Sequence, residues 1–271
     1  MRGGCAAECG ACLEPAAPCL FGWMTCCWDG RVVWRASEAQ RWPHRGQVAL
    51  TIDDVPRAGT TAADVQALMA LLASHNASAT FFVIFEQFVA APENVRRVFM
   101  DHVRARGHEV GLHFKGRWGH AVHVDELRQR AVEAQHLVEQ CYGLKLRYAR
   151  MPGGFSRPEQ VTVLEELGLT VVNGTGYPFD VDLCACLPAR ALGRCAARLT
   201  AQGGRIAILH DADKLYGEVE AFLRAARNQN GHAVVTLEEL LERIGPGRDE
   251  SVAMSSVLLH AERGACPMLA L

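Results

Sequence analysis

The chain has 271 residues, room for one large α/β domain with a full core and too few for two. Hydrophobic residues make up 49% and charged residues 21%, the mix of an ordinary globular protein. A formal net charge of −2 offers no handle for nucleic acid or an anionic membrane surface, and no apolar run approaches the roughly 18–20 residues of a membrane span.

Residues 1–46 lack sustained periodicity and read as a Cys-rich extension, poorly ordered; six of the eleven cysteines lie before residue 30. An odd cysteine total argues against a fully paired disulfide framework. Cys9-x-x-Cys12 has no second pair at finger spacing, so a zinc knuckle is not expected. The early residues are polar, with no apolar h-region beside a basic n-region, which makes a poor secretory signal; the compartment stays open.

The organised part runs over 47–244 and alternates strands with helices. Val48–Ile52 is a short β-leaning run that stops at Asp53-Asp54. Thr61–Ser74 is helical, capped by Thr60 or Thr61, with Val65, Leu68, Met69 and Leu72 on one face. Ala79–Phe85 is a buried strand, Glu93–Arg106 a helix ended by Gly107, and His108–His113 a strand. Asp125–Tyr142 is a helix stopped by Gly143. Leu146–Arg150 is a strand, and Arg157–Leu167 a helix with Pro158 in its first turn. Thr170–Asn173 and Ile206–His210 are strands, Gly217–Asn228 a helix, Ala233–Thr236 the last strand and Leu237–Ile244 the last helix. Residues 245–271 read as a flexible tail.

Seven strands alternating with helices predict a parallel sheet with helical crossovers, closed or nearly so. In such barrels chemistry gathers where strands end. Asp53-Asp54, His113, Arg150 and His210 each end or follow an apolar strand. Adjacent side chains of an extended segment point to opposite sides, so one of the two aspartates could bind a metal while the other faces a reacting water. The plainer alternative is a solvated loop that starts with two acids. His113 and His210 have the alternative of rim histidines, although His210, beside Asp211, suits a general acid. Arg150 precedes Met151-Pro152-Gly153-Gly154, whose glycines let backbone approach a ligand or simply make a turn.

Leu50-Thr51-Ile52-Asp53-Asp54-Val55-Pro56 and the later Ala79-Thr80-Phe81-Phe82-Val83-Ile84 resemble the opening of the polysaccharide deacetylases (carbohydrate esterase family 4, the NodB homology domain), which reads T-F-D-D-G-P and then A-T-F-F-V. Gly107-His108-Glu109-Val110-Gly111-Leu112-His113 is similar to their G-H-E-I-G-N-H. Arg150-x-Pro152-Gly153-Gly154 is similar to R-x-P-Y-G, and Ile208-Leu209-His210 to L-x-H. The matches fall in family order over about 48–241. The resemblance implies a distorted (β/α)7-type barrel that uses a divalent metal, zinc above all, to remove acetyl groups from N-acetylglucosamine in a chitin-like or peptidoglycan-like glycan. It implies Asp54 and His113 as metal ligands, Asp53 as general base, Arg150 as its ion-pair partner and His210 as the acid for the leaving amine. A backbone N–H near Gly153 would help hold the oxyanion.

The sequence also departs from the pattern. The family's second metal histidine, four residues after the first, is here Arg117. His120, with His123 near it, is the candidate third ligand. The fourth motif is faint around 176–182 and has no Trp. A metal-free amide hydrolase of the same superfamily and a catalytically silent glycan-binding domain therefore stay open as alternatives.

Overall fold

β1 (Gln47–Asp53) is buried at all but its first residue and pairs with three other strands, so the sheet is built around it. The computed structural model describes residues 46–116, 121–174, 176–181, 186–203, 205–228 and 231–241. The expected extension before Gly46, the tail 245–271, Arg117 and His120 lie outside the described residues.

After β1 come α1 (Ala62–Ser74), β2 (Ala79–Ile84), α2 (Phe85–Ala90), α3 (Glu93–Arg106), β3 (Glu109–His113), α4 (Val124–Tyr142) and β4 (Tyr148–Arg150). Then follow α5 (Pro158–Glu166), β5 (Thr170–Val171), α6 (Ala189–Gly203), β6 (Ile206–His210), α7 (Leu215–Asn228), β7 (Ala233–Val235) and α8 (Leu237–Leu241). The strand order is β5-β4-β3-β2-β1-β6, with β7 joining the first residues of β1, and every pairing is parallel. Past β5 the chain swings back to β6: the Gly176 N–H donates to the Ile206 carbonyl at 3.0 Å, and the Ile208 N–H to the Gly176 carbonyl at 3.2 Å. A Cβ at Gly176 would stand 2.0 Å from Thr200 Oγ1, so glycine alone lets the backbones meet there. This curls the sheet into the expected distorted (β/α) barrel with helices around it.

Strand alternation divides the core in two. Leu50, Ile52, Phe81, Val83, Val110, Leu112, Ala207 and Leu209 face the surrounding helices. Ala49, Phe82, Tyr148, Ile206 and Val235 fill the interior, closed at one end by Leu237 and Leu240 of α8. The inner face thus ends, at one end of β1, β3, β4 and β6, in Asp53, His113, Arg150 and His210.

Helix ends follow local chemistry. Thr61 caps α1 in a reciprocal box: its hydroxyl accepts from the Asp64 N–H at 3.2 Å, and Asp64 accepts from the Thr61 N–H at 2.9 Å. Gly107 and Gly143 end α3 and α4 with φ of 68° and 64°, the left-handed conformation that suits glycine. Two helices differ from expectation. The Ala79–Phe85 strand turns helical at Phe85, so that Phe85 and Phe88 bury one turn apart in α2. The whole of α6 was not predicted. Cys141 in α4 is disulfide-bonded. No described helix is long and apolar enough to cross a membrane.

Candidate active site

Register brings the strand-end residues together before any side-chain contact is considered. Asp53 of β1 pairs across the sheet with His210 of β6, and His113 of β3 with Arg150 of β4.

Arg150 is the best-anchored of them, 2% exposed. Its Nη1 donates to Asp53 Oδ1 at 2.6 Å and to the Thr51 hydroxyl at 2.7 Å, and its Nε to the Val172 carbonyl at 3.0 Å. Its guanidinium carbon lies 4.0 Å from the centre of the Phe82 ring, a cation–π contact out of water. Phe82 can sit there because β3 carries Gly111 beside it: a Cβ at that position would stand 2.7 Å from the ring. Burial lowers the Arg150 pKa and the Asp53 carboxylate opposes that pull, and the guanidinium keeps its charge.

The two aspartates do not diverge as an extended segment would make them. The backbone turns at Asp54, which takes φ 66°, a left-handed conformation that Asp tolerates better than most side chains. Both carboxylates therefore face His113, whose Nε2 is 3.9 Å from Asp53 Oδ2 and 3.6 Å from Asp54 Oδ1. The other ring nitrogen of His113, Nδ1, lies 2.7 Å from the Arg150 carbonyl. A carbonyl only accepts, so Nδ1 carries a proton, and the neutral form of the ring directs its Nε2 lone pair at the aspartates.

In that form a lone pair and a carboxylate face each other, an arrangement that suits a cation. Two donors about 2.1 Å from one zinc ion at a tetrahedral angle lie roughly 3.4 Å apart, close to the His113–Asp54 separation. The hydrogen bond on Nδ1 is the support usual behind a metal-binding histidine. Asp54 and His113 thus fit a divalent ion as two of its ligands. Among the described residues no group of three or more His, Cys, Asp or Glu is placed to hold a metal ion. His120, the expected third ligand, lies outside the described residues. The structure does not bring His123 to the cluster: its side chain is 74% exposed, caps α4 and faces Asp125 at 3.5 Å.

His210 stands beside Asp53 on the neighbouring strand, its Nε2 3.9 Å from Asp53 Oδ2. Behind it stands Asp180, which the sequence did not single out. One Asp180 oxygen pairs with His210 Nδ1 at 2.9 Å, and the other accepts the His210 backbone N–H at 2.8 Å. Burial works against the imidazolium. The Asp180 hydrogen bond and charge, with Asp53 and Asp54, outweigh it and raise the pKa to about 9. The only sequence signal for Asp180 was the faint fourth motif, which marks the region without picking the residue. Tyr177 packs against His210, with ring centres 5.3 Å apart. Gly153, exposed and with φ 62°, sits in the Pro152–Gly154 turn just past Arg150.

Residues 41–172 match the family model described as polysaccharide deacetylase. Three solved structures share the fold. The Bc1960 peptidoglycan N-acetylglucosamine deacetylase is 19% identical with a TM-score of 0.64, and the match covers 82% of this chain and 96% of that one. The peptidoglycan deacetylase PdaC from Bacillus subtilis is 21% identical with a TM-score of 0.56, over 74% and 92%. A mutant of BA3943 from Bacillus anthracis, a CE4 family pseudoenzyme with restored enzymatic activity, is 21% identical with a TM-score of 0.60, over 74% and 69%.

Proposed function

The chain belongs to the polysaccharide deacetylase family, whose model spans residues 41–172, and on that footing we propose that it hydrolyses the N-acetyl amide of N-acetylglucosamine units in a chitin-like or peptidoglycan-like glycan. One observation carries the reading. A carboxylate held by a buried arginine, Asp53, faces a charged histidine, His210, at the same mouth. That is a base and an acid side by side at neighbouring strand ends, where both can reach one bound amide.

Asp54 and His113 would hold a divalent metal, which when bound lowers the pKa of water and polarises the acetyl carbonyl. Arg150 occupies Asp53 Oδ1, which leaves Oδ2 to take the proton of the attacking water. The backbone N–H near Gly153 is the donor proposed for the oxyanion. His210, protonated, gives the Nε2 proton to the departing amine nitrogen, while Asp180 holds Nδ1 and steadies the ring. A metal-free amide hydrolase is the second reading, favoured by the two-donor set among the described residues.

Acetate release from chitin oligomers and from peptidoglycan fragments tests the proposal. The metal-loaded protein should release acetate, lose that activity on chelation and regain it with zinc or cobalt. No acetate from either substrate would reject deacetylation. Full activity in chelator, with no metal in the active protein, would establish the metal-free reading.

A further inference from the structure

Behind Asp180 lies a second buried acid that the mechanism above does not use. Glu218, in the first turn of α7, is 1% exposed, and its carboxyl is in side-chain hydrogen-bonding contact with that of Asp180. Among the described residues no donor reaches Glu218 Oε2, a buried oxygen. An ionised carboxylate there would be an uncompensated buried charge against a second one. Asp180 already turns both of its oxygens to His210, so a proton between the two carboxyls is placed on Glu218. A Glu218 that carries the proton instead donates O–H to the Asp180 carboxylate, which removes the like-charge contact and leaves Oε2 a neutral carbonyl oxygen.

We propose that Glu218 is a positioning residue: its protonated carboxyl donates to Asp180 and locks a His210–Asp180–Glu218 chain that fixes the orientation of the acid. The inference rests on His210 acting as the acid. The charged groups that face Glu218 are Asp180 ahead of α6, Lys214 just before α7 and His210 at the end of β6. Lys214 Nζ donates a hydrogen bond to the Leu187 carbonyl at 2.8 Å. On the α6 side the contact is made by Gly193 against the Glu218 backbone carbonyl. Burial, then the Asp180 charge, push the Glu218 pKa up to about 7 against the pull of Lys214 and His210, which agrees with a proton held there below neutral pH.

The test compares Glu218→Gln, which keeps a donor, with Glu218→Ala and Glu218→Leu, which do not. Three readouts serve: the His210 Nδ1 proton by NMR without substrate, steady-state kinetics on a chitin oligomer, and the infrared band of a protonated carboxylic acid. The Gln variant should keep the Nδ1 resonance and a near wild-type kcat. Its pH profile should lack the inflection that Glu218 ionisation places near 7 in the wild type. The Ala and Leu variants should lose the resonance to exchange and fall about 10-fold in kcat at unchanged KM. The acid band should be present in wild-type protein at pH 6 and absent in the Gln variant. A wild-type resonance and kcat in folded Ala or Leu protein would overturn the proposal, as would a Gln variant as impaired as they are. If neither Ala nor Leu protein folds, a missing acid band in the wild type overturns it. A wild type without deacetylase activity would sink the functional reading, while the NMR and infrared results would still decide the Glu218 contact.

Discussion

Arg150 spreads its planar fork over Asp53, Thr51 and the carbonyls of Val172 and Asn173. Lysine has its donors on one nitrogen and cannot span these acceptors. Arg150→Lys should therefore free Asp53 to rotate and lower kcat by about 10- to 100-fold at similar KM in steady-state assays. An unchanged kcat would mean that Asp53 needs no such support. His210 yields a pH prediction. The acid must be charged, and its pKa is raised from 6.5 to about 9, so in Glu218→Gln, which removes the inflection near 7, kcat should hold through neutral pH and fall as pH rises past about 9. A fall centred near 6.5 would show that Asp180 does not hold the proton on the ring. Asp53, Arg150 and His210 were legible in the sequence because each ends an apolar strand. Asp180 was not, because it lies in an irregular segment where no periodicity ranks one acid above another.

At the scale of elements, α6 and α7 form the most extensive helix pair among the described residues, and their approach is set by Gly193. A Cβ there would stand 2.2 Å from the Glu218 carbonyl oxygen, a backbone atom that cannot swing aside. Gly193→Ala gains helix propensity yet should destabilise the protein by about 1–3 kcal/mol in urea unfolding, because the helices must part. A more stable variant would show that the pair has slack. The same glycine explains why α6 was missed: inside a run of small residues it reads as a breaker, and only the neighbouring helix supplies a reason for it. α2 was missed for the opposite reason. Phe85 continues an apolar run that fits a strand, and a short apolar run does not distinguish strand from helix. α3, with Gly107 after it, was legible to the residue because its periodicity and its stop signal agree.

The whole molecule carries an acid sensitivity that lies outside the site. His108, 7% exposed, accepts the Ala79 N–H on Nδ1 at 3.2 Å and packs edge-on against Phe81. Burial first, then His102 and Arg106, hold its pKa down from 6.5 to about 4. The folded protein keeps the ring neutral while the unfolded chain protonates it below 6.5. His108 stability is therefore complete above 6.5 and is lost as pH falls from 6.5 toward about 4. The loss should reach about 3 kcal/mol by urea unfolding across that window. His108→Asn, which keeps an acceptor and cannot titrate there, should flatten this part of the profile; an unchanged slope would place the acid sensitivity elsewhere. By itself the sequence determined the parallel α/β architecture, most strand and helix positions and the strand-end residues, because hydrophobic period and stop signals are local properties of the chain. Only the tertiary structure decided the closure at Gly176, the turn that aims both Asp53 and Asp54 at His113, and the Asp180–Glu218 pair behind His210. Each depends on backbones or side chains far apart in sequence, and no local pattern encodes such contacts.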